Sequence, residues 1–355
     1  MLNMGGPETL NDVGGFLYNI FTDRDIIQMP FQSFLGPLLA KRRTPHVQKL
    51  YEEIGGSSPI TAYTRKQGEK MIQLLDQISP TTAPHKFYVG FRYSGPSVAS
   101  ALEKMKEDKI TRAIAFSQYP QFSCTTSGSS LNQLWKLLKE KNMEDAFQWS
   151  VIDRWPTHPK FIYAVRSMIL RGLEKFTNTN RDDVIILFSA HSLPLKTVFK
   201  GDQYAAEVAA TVYAVMRELN FSNKYMLVWQ SQVGRIPWLG PKTGDIIESL
   251  GKDNKSILVV PIAFTSDHIE TLSEIDKEFY DVAVKSGVKE FHRSPSLNDD
   301  DLTIDALASV VKDHIDNNRL HSLQYKFRCP GCTKPFCRSI LNPAPDCSIS
   351  AITGV

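Results

Sequence analysis

The chain reads as an α/β protein with two doubly wound halves, and three features carry that expectation. Short β-branched apolar runs recur, amphipathic stretches of helical spacing separate them, and the residues after each run include aromatics, histidines and an acid. The runs are 86–91, 112–116, 149–152, 184–188, 226–229 and 257–264. Continuous apolar runs of this length fit strands buried on both faces, as in parallel sheets. The stretches 97–106, 130–139, 160–175 and 203–219 supply the helices of right-handed crossovers. The series divides near Asp-Arg-Trp-Pro-Thr-His-Pro at 153–159. That predicts one domain over 1–158, a second over 159–318, each a parallel sheet flanked by helices, and a C-terminal extension over 319–355. A length of 355 residues suits two such units.

Apolar residues at 42% and charged residues at 22% supply an ordinary soluble core. Lys and Arg number 41 against 38 for Asp and Glu, too balanced for a general nucleic-acid binder. No stretch of about 18 uncharged apolar residues is present, so no spanning helix is expected. Met1-Leu2-Asn3 leads directly to a Gly-Gly-Pro turn, without the pattern of a secretory signal. Five cysteines are few, and four of them crowd the tail. The C-x2-C-x4-C spacing of Cys329, Cys332 and Cys337 favours metal or cluster ligation in a reducing compartment over disulfides.

In open α/β sheets ligands bind beyond the carboxyl ends of the strands. The residues there are Arg92-Tyr93, Gln118-Tyr119, His191, Gln230-Ser231 and Thr265-Ser266-Asp267-His268. Gly5-Gly6-Pro7 matches no phosphate loop, which argues against nucleotide chemistry. His191 is suited to accept a proton or ligate a metal, the plainer reading being a core histidine bonded to backbone. Segment 264–274 is expected to be a helix capped by Ser266 or Asp267. Asp267, Glu270, Glu274 and Glu278 would line one face, with Ile269, Leu272, Ile275 and Phe279 on another. Such a row is either a solvated face or an acidic track carrying a divalent cation or protons toward His268 and His191.

Residues 16–43 are dense in apolar side chains, and Lys41-Arg42-Arg43 closes them. Pro30 and Pro37 are expected to prevent one unbroken helix there. The segment fits a core element with a basic edge, or an exposed lip that meets a bilayer or a greasy ligand. In the tail, Cys347 would complete a four-thiolate zinc knot, whereas Cys124 would tie the tail to the first domain around an iron–sulfur cluster. Spacing leaves both open.

Taken together, LNMGGPETL (2–10), AKRRTP (40–45), QYPQFSC (118–124), IDRWPTH (152–158), SAHSLP (189–194), PWLGP (237–241) and PIAFTSDHIETL (261–272) resemble the ferrochelatases, in their animal form, from Met4 to about Cys337. The resemblance implies two Rossmann-like, chelatase-type domains with a C-terminal iron–sulfur tail packing back on the first. It implies insertion of Fe2+ into protoporphyrin IX, the terminal step of haem synthesis, with release of two protons. It further implies a homodimer peripherally attached to the matrix side of the mitochondrial inner membrane, with no nucleic-acid partner and any targeting peptide lying before residue 1. The lip at 16–43 would then receive the porphyrin. Arg43, Tyr51 and Ser58 match porphyrin-binding positions, and Met4, Arg92, Tyr93, Tyr119 and Trp238 match pocket-lining ones. Cys124, Cys329, Cys332 and Cys337 match the ligands of a [2Fe–2S] cluster, leaving Cys347 spare.

Metallation removes two pyrrole protons and puts a cation into a flat ring, so a pocket that fits a bent macrocycle lowers the barrier. By the resemblance His191 accepts a pyrrole proton or is the last iron ligand. His268 and Glu270 join it in the chemistry, Asp267 and Glu274 extend the proton or iron path, and His158 matches a further assigned position. One family acid has no counterpart: the stretch reads Ala306-Leu307-Ala308-Ser309, with Asp305 nearby. The competing readings are a porphyrin carrier that inserts no metal and a cobalt or nickel tetrapyrrole chelatase.

Overall fold

Hydrophobic runs separated by helices give two parallel sheets in the computed structural model, which describes residues 1–234, 236–326, 329–332 and 337. The first half contains β1 (Leu2–Asn3), α1 (Val13–Thr22), α2 (Gln32–Glu53), α3 (Ile60–Ile78), β2 (Gly90–Phe91), α4 (Val98–Glu107), β3 (Arg112–Phe116), α5 (Ser127–Glu140) and β4 (Gln148–Ile152). The second contains α6 (Pro159–Leu173), β5 (Ile185–His191), α7 (Leu195–Phe199), α8 (Tyr204–Glu218), β6 (Tyr225–Gln230), α9 (Thr243–Lys252) and β7 (Ile257–Pro261). It ends with a π-helix (Glu270–Phe279), α10 (Tyr280–Ser286), β8 (Phe291–Arg293) and α11 (Asp301–Asp316).

In the second sheet the order is β6-β5-β7-β8, all parallel. Its central strand shows why the sequence read as a continuous apolar run. Ile186 and Phe188 pack with Phe161, Ile169, Val215 and Leu307 on one face, while Leu187 packs with Val228, Ile247, Ile275 and Ala283 on the other. Both faces are covered, so alternation disappears. In the first sheet β1 pairs with β2 and β3 with β4, both parallel, and a bridge from Leu2 to Ser117 joins the pairs. The halves also share a core: Met71, Leu75, Phe116 and Ile152 belong to the same cluster as Phe161, Val165, Leu307 and Val311. After α11 the chain returns to the first sheet, where the Val151 amide donates to the Leu320 carbonyl and Tyr325 is fully buried.

Several boundaries differ from the sequence reading. Of 86–91 only Gly90–Phe91 pairs, β5 runs on to include His191, and residues 262–264 leave the sheet after Pro261. β1 and β8, at two and three residues, are too short for periodicity to register. As expected, 16–43 is not one helix, since α1 ends at Thr22 and α2 begins at Gln32, just past Pro30, but Pro37 lies inside α2, as does Pro45. A proline inside a helix removes its own donor and crowds the carbonyl four residues back, and contacts with α1 hold α2 in place around Pro37. The Gln32 side-chain amide donates to the Phe21 carbonyl at 3.0 Å, and Gly36 lies so near that carbonyl that a Cβ would approach to 2.8 Å. The helix expected over 264–274 begins later, and neither Ser266 nor Asp267 caps it with a side-chain bond. No described helix is long and apolar enough to cross a membrane. Cys347 lies outside the described residues.

Candidate functional site

Strand register brings the polar centre together. His191 ends β5 beside Gln230, the last residue of β6, and β7 leads through 262–269 into the π-helix. The Gln230 side chain donates to the Glu270 carbonyl at 3.1 Å and to a Glu274 carboxylate oxygen at 2.9 Å, so a strand end pins the helix. Ser231, forced to a φ of 63°, gives Glu274 its amide at 2.7 Å and its hydroxyl at 2.5 Å. Such i→i+5 winding is rare and is frequently found at functional sites. Glu270 and Glu274 face one space, while Glu278 points to solvent.

Glu270 is the hub. One of its oxygens lies 3.0 Å from His191 Nδ1 and 3.6 Å from His268 Nε2. The His268 Nδ1–H donates to the Ser266 carbonyl at 3.1 Å, which aims Nε2 at the carboxylate. Burial would raise the Glu270 carboxyl, but the two imidazoles outweigh it and hold it far below the usual carboxylate range. Burial would conversely lower His191, but Glu270 raises it above an ordinary histidine. Glu274 is pushed up, first by burial and then by the charge on Glu270. A carboxylate on Nδ1 fixes the tautomer of a neutral His191 and leaves Nε2 as an acceptor.

The opposite wall comes from the first sheet and α2. Met4 gives its amide to the Tyr119 hydroxyl at 2.8 Å, and Gly5, with φ 81°, makes the turn that follows. A Cβ at Gly5 would sit 2.0 Å from the Ser94 hydroxyl, so only glycine fits. Burial raises the phenols of Tyr51 and Tyr119, and the charge of Glu270 acts on both across the cleft. Arg92 and Tyr93 converge on Asp23: the guanidinium lies 2.7 Å and the phenol 2.5 Å from the same oxygen. Burial opposes ionisation of Asp23, yet Arg92 and Tyr93 hold it below the usual carboxylate range. Arg43 is half-buried on α2, and Tyr51 is buried. Ser58 is buried beneath the glycine turn, its amide bonded to the Pro7 carbonyl. Trp238 lies beside Pro194, just past β5, and its indole N–H donates to the Val233 carbonyl.

Two expected members of the centre stand elsewhere. Asp267 is a buried anchor, ion-paired with Arg293 at 3.0 Å and accepting from Ser296, Asn298 and Thr271. These bonds occupy it and fix the approach to the π-helix, so it does not continue the Glu270–Glu274 pair as an acidic row. His158 begins α6 and bonds Asp313 of α11 at 3.2 Å. Asp313 is one turn beyond Ser309, so the acid that α11 offers His158 is not Asp305, which pairs with Lys160.

The cysteine positions fall in two places. Cys124 lies between β3 and α5, and Cys329–Cys332 form a turn docked against Lys200 and Gly201. None of the described cysteines is in a disulfide, and among the described residues no three potential ligands are gathered at a metal-binding arrangement. Asp23 and the seat made for Glu274 by Gln230 and Ser231 were not identified as functional from sequence. Gln230 and Ser231 did stand at a strand end, whereas Asp23 carries no local signal.

Two parallel sheets, the second carrying imidazoles and carboxylates at its strand ends, make a chelatase-type fold. A solved structure with a similar fold, "SirB from Bacillus subtilis with Fe3+", matches with a TM-score of 0.51 over 71% of this chain and 90% of that one, at 11% identity. The Ferrochelatase family model matches residues 1–315. "Ferrochelatase, mitochondrial" from Dictyostelium discoideum is 51% identical over 97% of this chain and 87% of its own length. The human protein of that name is 52% identical over 95% of this chain and 80% of its own. The chain belongs to the ferrochelatase family.

Proposed function

We propose that this protein inserts Fe2+ into protoporphyrin IX, releasing two protons, with His191 receiving a pyrrole proton and Glu270 holding the imidazole in place. The observation that carries the reading is the 3.0 Å contact of His191 with Glu270 at the strand ends of the second sheet. Family membership supplies the reaction class. Fe2+ and porphyrin are substrates. Tyr51, Tyr119 and Met4 form the facing wall, with Arg92 and Tyr93 locked to Asp23 behind it. A wall so fixed suits a bent macrocycle, because complementarity to a distorted ring requires residues that do not yield. Glu274, its carboxyl raised, is suited to pass protons on from Glu270. Half-buried Arg43 is suited to meet a propionate, a guanidinium being able to bond both oxygens.

Mitochondrial placement follows the names of the relatives, and attachment to the matrix side of the inner membrane is supported by the lip. Phe31, Phe34 and Leu38 are 81%, 73% and 55% exposed, spaced three and four apart, with exposed Lys41 and Arg42 one turn on. Ala40 of the same helix is buried with Val13 and Leu17 of α1, so the region is core on one side and lip on the other. The homodimer is carried by the family resemblance. Cys124, Cys329, Cys332 and Cys337 would hold a [2Fe–2S] cluster. The donor set fits in kind, being four thiols outside any disulfide, and the turn at Cys329 and the loop of Cys124 reach one segment at 200–202. When bound, such a cluster supplies a cross-link between tail and first half.

A pH-indicator assay under anaerobic conditions tests the reaction. Two protons released per Fe2+ consumed is the expected stoichiometry, and porphyrin uptake with no proton release would make the protein a carrier.

A further inference from the structure

The short segment between α7 and α8 touches both ends of the cysteine set. On one side the Gly331 amide donates to the Lys200 carbonyl at 2.9 Å. Gly201 there has a φ of 95°, and a Cβ on it would lie 2.4 Å from Pro330 Cδ. A Cβ on Gly331 would lie 3.0 Å from Lys200 Cα, so the two glycines allow the backbones to meet. On the other side Asp202, 7% exposed, accepts the Cys124 amide at 2.7 Å and the Ser123 hydroxyl at 3.1 Å on one oxygen. Its second oxygen takes the Tyr204 amide at 3.0 Å. Glu207, also buried, accepts the Phe122 amide at 2.7 Å, so two carboxylates of the second half grip the loop that carries Cys124.

Neither residue is a thiol, and neither belongs to the porphyrin cleft as described. Both sit where a turn from the tail and a loop from the first half must be brought to a common place. We infer that Gly201 and Asp202 are positioning residues for cluster assembly, the seat on which the Cys329–Cys332 turn and Cys124 are presented together. The inference rests on the reading of these cysteines as cluster ligands. Hydrogen bonds and close packing around ligands orient them in metal sites generally.

The test uses the full chain, purified and reconstituted anaerobically, with iron and acid-labile sulfide per chain and visible absorbance as readouts. Asp202→Ala removes a charge-assisted bond, and Gly201→Val blocks the approach of Pro330. Each is expected to lower cluster content about tenfold while leaving far-UV circular dichroism unchanged. Asp202→Asn keeps an acceptor oxygen and should restore roughly half of the content. Lys200→Ala keeps the backbone carbonyl and should change nothing. Should Gly201→Val fail to fold, Gly331→Val breaks the same contact from the tail.

Hydrogen exchange without the cluster gives an independent reading. Exchange at Cys124 should quicken in Asp202→Ala alone, and at Gly331 in Gly201→Val alone. Full cluster content in both variants would overturn the inference, as would unprotected amides at 124 and 331 in the wild type. A wild type without iron and sulfide would defeat the cluster reading by itself, and these amides would then still decide whether the seat exists.

Discussion

At the rim of the first sheet Arg92 and Tyr93 converge on Asp23, whereas at the rim of the second His191, Glu270 and Glu274 remain coupled to one another. Both rims stand at the carboxyl ends of parallel strands, so topology alone does not separate them. The difference lies in where charge is neutralised. A guanidinium closed on a carboxylate makes a rigid wall with fixed protonation. A carboxylate shared between two imidazoles, with a second carboxyl raised beside it, makes a group that can take and pass protons. On the proposed reading one side holds the porphyrin and the other carries the protons.

The largest effect should follow removal of the base. His191→Ala is expected to lower metal insertion by a factor on the order of a hundred to ten thousand, with porphyrin binding retained. Equal loss of binding and rate would place His191 on the holding side instead.

Glu270→Gln should cut insertion by roughly a hundredfold and move the pH profile. Without the carboxylate, burial acts on His191 opposed only by Glu274, so its pKa should fall, which NMR titration of the imidazole would read. The stability signs follow from the same shifts. His191 is raised, so its contribution is full below the ordinary histidine value of 6.5 and is lost as pH rises through the folded value. Glu270 is lowered, so its contribution is present above the ordinary value of 4.5 and is lost as pH falls toward the folded value. Wild type should therefore exceed Glu270→Gln in stability most clearly between those limits, in denaturant titrations across pH. A difference independent of pH would break the coupling.

On the holding side, Asp23→Ala takes the nearer of two carboxylates from the buried Arg92 guanidinium, leaving Asp25 at 3.7 Å and the Gln133 acceptor, and should destabilise by about 2 kcal/mol in urea unfolding. Asp267→Ala should cost less, because Arg293 keeps two bonds to Asp276, and should move the pH profile less than Glu270→Gln. The smallest change in stability belongs to the lip. Phe34→Glu with Leu38→Glu should alter unfolding by no more than about 0.5 kcal/mol, because both are exposed, yet abolish sedimentation with anionic vesicles.

Much of this division was legible from residues alone. The buried strands of the second sheet stand out because Ile186, Leu187 and Phe188 are apolar on both faces, and their ends point to His191 and to the segment that carries Glu270. What the pattern concealed has physical reasons. Helical spacing put Asp267, Glu270 and Glu274 in one row, but a π-helix beginning at Glu270 and the pull of Arg293 remove Asp267 from it. Pro37 argued for a break that packing of Gly36 on α1 prevents. Asp23 meets Arg92 across 69 residues, a separation that no local spacing encodes.

The division rests most directly on what His191 does with iron and porphyrin both present. Anaerobic loss of protoporphyrin fluorescence on adding Fe2+ measures it, with wild type and His191→Ala compared after porphyrin has bound. Rapid loss in the wild type and persistent fluorescence of bound porphyrin in the variant are expected. Equal rates in the two would contradict the assignment of the chemistry to the second rim.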